Sequence, residues 1–279
     1  MRSRFNINNY SNLGQRAITA LVGALIVVGG SIYSDWTYFI IFAVILGFSQ
    51  MEFYKLSGLD GMLPLKSFGT LLGLMIFTLT FLIEKEQFPH EYLYLMFPLV
   101  SLTFFIKLYK KTDKKPFTGV AFTYLGIFYV AVPFSLLNLA VFSVGQIYHF
   151  EILIGCLLIL WACDTGAYFA GTKFGKTKLF ERVSPKKSWE GFLGGAFSAI
   201  AVAFILARYF QVIEDWKWLV IAGIIIIAGT YGDLIESLFK RSIEIKDSGH
   251  ILPGHGGFMD RFDGLLLSAP FITAFLKIF

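Results

Sequence analysis

LLILWACDTGAYFAG, Leu157 to Gly171, is apolar on both sides of one aspartate, Asp164. An aspartate at the centre of a transmembrane helix costs about 2.5–3.5 kcal/mol on insertion scales, so it is kept where it faces protein, water or a cation. A carboxylate simply hydrated at headgroup level is the plainer alternative. It accounts less well for a helix that continues apolar to Tyr168. The whole chain has the same character: 56% of residues are apolar and 15% charged, against about 25% charged in globular proteins. The stretch therefore predicts an all-α, polytopic integral membrane protein.

A bilayer core of about 30 Å takes roughly 20 apolar residues in a helix. Outward from the segment at 150–170, eight more stretches qualify: 17–34, 36–54, 64–83, 92–109, 118–142, 190–210, 216–238 and 264–279. The predicted count is nine. With the N-terminus in the cytoplasm, all but four of the 24 lysines and arginines fall inside, the exceptions being Lys85, Arg208, Lys217 and Lys277. This is the positive-inside bias. A miscounted helix would reverse every later loop, so the count and the N-in orientation support each other. The net charge of +5 then reflects topology and anionic headgroups, not nucleic acid. The run KLYKKTDKK, 107–115, is read the same way. No small-residue cleavage site follows the first segment, which reads as a span. Cys156 and Cys163, seven apart on one helix, are about 10 Å apart along its axis and cannot bridge.

We find no internal repeat. The carboxylates divide the chain into an N-terminal scaffold, 1–116, and a C-terminal catalytic region, 117–279, with cytoplasmic loops 171–189 and 239–263. Helix ends in the second region carry Asp164, Glu190, Asp233 with Glu236, and Asp260 with Asp263.

GTYGDLIESLFKR, 229–241, places Asp233, Glu236 or Ser237, and Lys240 on one helical face. A Glu236–Lys240 pair solvating a helix end would explain those two but not Asp233. In GHGGFMDRFDG, 254–264, Gly254, Gly256 and Gly257 allow a ligand to approach the backbone. Asp260 and Asp263 open the last helix, where a helix dipole accounts for one of them. In SPKKSWEGFLGG, 184–195, Ser184 and Pro185 predict an N-cap and first turn. Lys186 and Lys187 would then stand at a helix N-terminus as a phosphate site. Gly191, Gly194 and Gly195 read as close helix packing. GTKFGKT, 171–177, is one residue short of a P-loop and follows no strand; it is a loop whose Lys173 or Lys176 can meet phosphate. Carboxylates beside cations and glycines suit a divalent metal bridging to phosphates. There is no His/Cys set for zinc. His250 and His255 either contact phosphate or fill the loop.

SLFKRSIEIKDSGHILPGHGGFMDRFD, Ser237 to Asp263, closely resembles the signature of the phosphatidate cytidylyltransferases, or CDP-diacylglycerol synthases. SPKKSWEG and DTGAYFAGTKFGKTKL are similar to other stretches of that family, and the strong match covers about 164–263. The resemblance implies conversion of CTP and phosphatidate to CDP-diacylglycerol and pyrophosphate in phospholipid biosynthesis. It implies Mg²⁺, alone or with K⁺, at paired aspartates, here Asp233 and Asp260. It also implies a nine-helix fold in the cell (inner) membrane, often a homodimer, with a polar cavity facing the cytoplasm. On this basis Asp233, Asp260, Lys187 and Lys240 are expected to be catalytic, with Asp263 and Asp164 supporting the metal. Lys186, Arg241, Lys246 and Arg261 are expected to hold phosphates, and Ser237, His255, Gly256 and Gly257 to line the substrates. Two alternatives remain: a CTP-dependent transferase for another membrane lipid, and an ion-coupled transporter with Asp164 and Asp233 as its ion site. The absence of a repeat and the clustering of charge at one face weigh against the transporter.

Overall fold

A computed structural model describes residues 7–59, 61, 63–111, 113–245 and 257–279. Among them, seven helical stretches are long and apolar enough to cross a membrane: Asp35–Gly58, Lys66–Glu84, His90–Leu108, Pro116–Val141, Phe150–Phe174, Trp189–Tyr209 and Asp215–Ser242. Two further helices flank them in sequence, α1 (Ile7–Tyr33) and α11 (Met259–Ile278). The apolar part of α1 is the shorter Thr19–Tyr33, and α11 carries Asp260, Arg261, Asp263 and Lys277.

The seven begin with α2 (Asp35–Leu59), α3 (Lys66–Glu84) and α4 (Met96–Leu108), the last preceded by a 3₁₀ segment, His90–Leu95. The next span is broken into α5 (Pro116–Gly126), a π segment (Ile127–Ala131) and α6 (Val132–Val141). Pro133 has no N–H to give to the helix, and the π offset just ahead of it absorbs that loss. Then come α7 (Phe150–Phe174) and α8 (Trp189–Tyr209). The seventh span repeats the break: α9 (Asp215–Ile224), a π segment (Ile225–Gly229) and α10 (Thr230–Ser242).

Inside a bilayer, close packing and hydrogen bonds hold helices together more than apolar burial does. Both devices are present. α7 and α8 form the most extensive helix pair. A Cβ on Gly195 would lie 2.7 Å from the Cys163 carbonyl, and one on Gly166 would lie 2.7 Å from that of Gly194. The two backbones therefore touch, as the glycine spacing predicts. On the other side, Asn138 is fully buried. It accepts from Tyr38 Oη at 2.9 Å and donates to Phe77 O and Thr80 Oγ1, both at 2.9 Å. One satisfied amide thus ties α6 to α2 and α3, within a layer of Tyr38, Phe42, Phe77, Phe81 and Phe134 that is wholly buried. α11 packs against α6, α10 and the second π segment, so its N-terminus enters the same end of the bundle as α10.

The structure corrects two readings. Residues 184–188 are not a first helical turn. They form β2 (Ser184–Ser188), paired antiparallel with β1 (Lys178–Phe180). α8 starts at Trp189 and its N-cap is Ser188, whose Oγ accepts from Gly191 N at 3.1 Å. Ser184–Pro185 has helix-start chemistry, but proline is equally tolerated at an edge strand. The choice is made by tertiary bonds: Trp189 N donates to Thr177 O at 2.9 Å, and the Glu190 carboxylate accepts from Lys176 N at 3.1 Å and Thr177 N at 3.2 Å. The second concerns Lys107 in the 107–115 run. It is more than a topology marker: its ammonium is enclosed with Asp113, the side chains 2% and 3% exposed, and donates also to the Leu63 carbonyl.

Candidate active site

α10 carries Asp233, Glu236 or Ser237, and Lys240 on one face because the residues are three, four and seven apart. What lies opposite is decided by Gly232. A Cβ there would run into the backbone of Asp263 and Gly264. α10 and α11 therefore meet backbone to backbone, and their carboxylates converge. Among the described residues, oxygens of Asp233, Glu236 and Asp263 lie within 4.8 Å of one another. Gly264 N donates to Asp263 Oδ1 at 2.7 Å and fixes that carboxylate.

Asp260, one turn earlier on α11, lies in a second cluster. Lys240 Nζ is 3.2 Å from Asp260 Oδ1 and 3.3 Å from Glu236 Oε1. Gly257 N donates to Asp260 Oδ2 at 3.4 Å. Lys240 thus bridges the two helices, with Glu236 shared between the clusters. The predicted Glu236–Lys240 pair exists, but Glu236 is 1% exposed and solvates nothing.

Lys187 enters from the hairpin. Its Nζ is 2.5 Å from Asp233 Oδ2 and 3.4 Å from Thr230 O. Here the side chains are 26% and 44% exposed, so a ligand can reach this edge. Asp164 of α7 is exposed, yet Asp233, Lys187 and Arg261 are within Coulombic reach of it. It belongs to the same group of charges. Ser237 Oγ donates to Asp233 Oδ1 at 3.4 Å.

The remaining predicted residues separate. Lys186 is exposed on β2. Arg241 is exposed and donates to Ile245 O, 3.1 Å away at its own helix end. Arg261 is exposed on the first turn of α11, and Gly257 is buried just before it. Lys246, His255 and Gly256 lie outside the described residues. One buried acid beside these helices went unread: Glu52 of α2, 2% exposed, whose Oε2 accepts from Phe258 N at 2.7 Å. Its signal was there in the sequence, a single acid near the end of the predicted span 36–54.

Five carboxylates, those of Asp164, Asp233, Glu236, Asp260 and Asp263, thus surround three cations, Lys187, Lys240 and Arg261. Carboxylates this close repel unless a cation or protons intervene. Every donor in the central cluster is a hard oxygen, the set that suits a divalent ion such as Mg²⁺. Beside it, an accessible lysine offers an anion its counter-charge.

A profile of the cytidylyltransferase family matches residues 14–279. The chain belongs to that family. It is 30% identical over 287 residues to a phosphatidate cytidylyltransferase of Bacillus subtilis, covering 96% of this chain and 99% of that one. It is 30% identical over 274 residues to a protein of the same name from Staphylococcus saprophyticus, covering 94% and 98%. Over 132 residues, 44% of this chain and 45% of the relative, it is 42% identical to one from Haemophilus influenzae. Membership makes the chain a nucleotidyltransferase and displaces the transporter reading.

Proposed function

We propose that this chain transfers the cytidylyl group of CTP to phosphatidate, forming CDP-diacylglycerol and releasing pyrophosphate. The observation that carries the reading is the convergence of Asp233, Glu236 and Asp263 beside the half-buried Lys187, at one end of a bundle of apolar helices. In this reading the chain crosses the cell membrane nine times, with N-terminus and site on the cytoplasmic side. The lipid's tails stay in the bilayer while its headgroup meets the cleft.

The nucleophile is a phosphate oxygen of phosphatidate. A phosphomonoester has its second pKa near 6, so it is ionised at neutral pH and needs no general base. That oxygen attacks the α-phosphorus of CTP and a new P–O bond forms. The bond from that phosphorus to the oxygen bridging to the β-phosphate breaks, and pyrophosphate leaves with the electron pair. Asp233, Glu236 and Asp263 would hold Mg²⁺, alone or with K⁺, which supplies charge neutralisation between the two anionic substrates. The chain's own part is positioning and charge. Lys187 exchanges its Asp233 partner for a phosphate oxygen. Lys240 stays bonded to Glu236 and Asp260 and keeps the two helices in register. Asp260 and Asp164 complete the wall around the reacting groups. Lys186 and Arg261, both exposed, meet the outer phosphates as the substrates arrive.

The test is pyrophosphate release by purified protein in detergent–phosphatidate micelles with CTP and Mg²⁺. Release should require all three components and fail when ATP replaces CTP. Folded protein that releases pyrophosphate only with a different phospholipid or a polyprenol phosphate would move the assignment to that lipid.

A further inference from the structure

We infer that Glu52 is a positioning residue of the reaction: from α2 it sets the N-terminal turn of α11 so that Asp260 and Asp263 point at α10. This rests on the cytidylyltransferase reading of the site.

A glutamate in an apolar membrane helix is costly unless protein surrounds and bonds it. Glu52 is 2% exposed and its Oε2 accepts from two backbone amides, Phe258 N at 2.7 Å and Met259 N at 3.4 Å. Those amides open α11, and the first N–H groups of a helix have no partner within it. A helix normally meets this need locally, with a side-chain oxygen at the N-cap. α11 has Phe258 at that place, with no side-chain cap bond. An acid 206 residues away takes the role.

The surroundings say what the contact controls. Phe48 stacks on Phe258 at 5.2 Å between ring centroids, and Phe53 stacks on Phe239 at 5.1 Å. α2 therefore contacts both the start of α11 and the C-terminal part of α10. Gly257 lies against Glu52 so closely that a Cβ would overlap the carboxylate. The same residue's N–H reaches Asp260. Residues 257–259 thus carry both the Glu52 grip and a bond to a site carboxylate, with Asp263 one turn on. A shift of this turn moves both aspartates relative to Lys240 and Asp233, and misplacement of about 1 Å can cost on the order of a hundredfold in rate.

The experiment compares full-length parent, Glu52→Gln, Glu52→Ala, Gly257→Ala and the Glu52→Ala/Gly257→Ala pair. It measures kcat, KM for CTP, melting temperature, and amide exchange of the peptide spanning 257–263. Glu52→Ala should lower kcat about a hundredfold with KM for CTP changed less than about threefold. Glu52→Gln, which keeps an acceptor oxygen, and Gly257→Ala should each lose about tenfold. The double variant should be no worse than Glu52→Ala alone, because the Cβ then has room. Exchange should rise at 258 and 259 in the Gln variant and not elsewhere. If Glu52→Gln and Gly257→Ala both keep kcat within about twofold, or if exchange at 258 and 259 stays at the parent rate, Glu52 does not position α11. An inactive parent would instead sink the assigned reaction, and the exchange data would still decide the role of Glu52.

Discussion

Among the described residues, three lysine–aspartate pairs lie in the loops and helix ends that the charge bias assigns to the cytoplasm, and two of them make a contrast. Lys107 and Asp113 are sealed, 2% and 3% exposed, and Lys107 also donates to the Leu63 carbonyl. Lys187 and Asp233 are open, 26% and 44% exposed, and Asp233 belongs to a carboxylate cluster. The chemical groups are the same. A sealed pair is bound to protein on every side that matters and contributes to the fold. An open pair beside surplus negative charge is available for exchange with a ligand. Exposure and neighbours, not residue type, separate the site from the scaffold.

The comparison can be broken at several points. Asp233→Asn should have the largest effect, lowering turnover by about 10²–10³-fold or more with melting within a few degrees of the parent, and Asp260→Asn should lower turnover and also melting, because it weakens the Lys240 bridge between α10 and α11. Near-normal activity of either would remove that residue from the site. Lys187→Met should follow, with a loss on the order of a hundredfold in kcat/KM and little change in stability; a drop in melting temperature with turnover intact would make this pair structural too.

Asp113→Asn should reverse the pattern. It leaves the Lys107 ammonium enclosed without its counter-charge, at a cost of about 1–3 kcal/mol, while kcat per folded molecule is unchanged. Its pH signature has a definite sign. The hydrogen bond from Lys107 holds the Asp113 carboxyl below its ordinary value of 3.8. The pair's stabilisation is therefore complete above about pH 4 and is lost as pH falls through the lowered folded value. Thermal melting between about pH 2 and pH 5 should show an acid-dependent loss in the parent that is smaller in Asp113→Asn. Smallest of all is Lys111→Gln, an exposed residue of the same loop, which should change activity by less than about twofold. A large loss there would mean the loop has a role beyond structure.

How much of this was legible in the sequence depended on how far each residue's partner lay along the chain. The face of α10 was readable because its residues are neighbours by helical spacing. Gly191, Gly194 and Gly195 of α8 were readable because close packing explains three of them together. Residues 184–188 were misread because Ser184–Pro185 suits a helix start and an edge strand alike, and Glu190 decides through its bonds to Lys176 and Thr177. Glu236 looked solvated because its nearest visible partner was Lys240; its burial comes from α11, more than twenty residues on. Glu52 went unread although the argument that singled out Asp164, the cost of an acid in an apolar helix, applied to it equally.

The most direct test of the contrast sets Asp233→Asn against Asp113→Asn in one assay: transfer of label from α-³²P-CTP into lipid, per folded molecule, with phosphatidate and Mg²⁺. The account predicts that transfer is lost in the first and kept at the parent rate in the second. Transfer kept in Asp233→Asn, or lost in a folded Asp113→Asn, would contradict it.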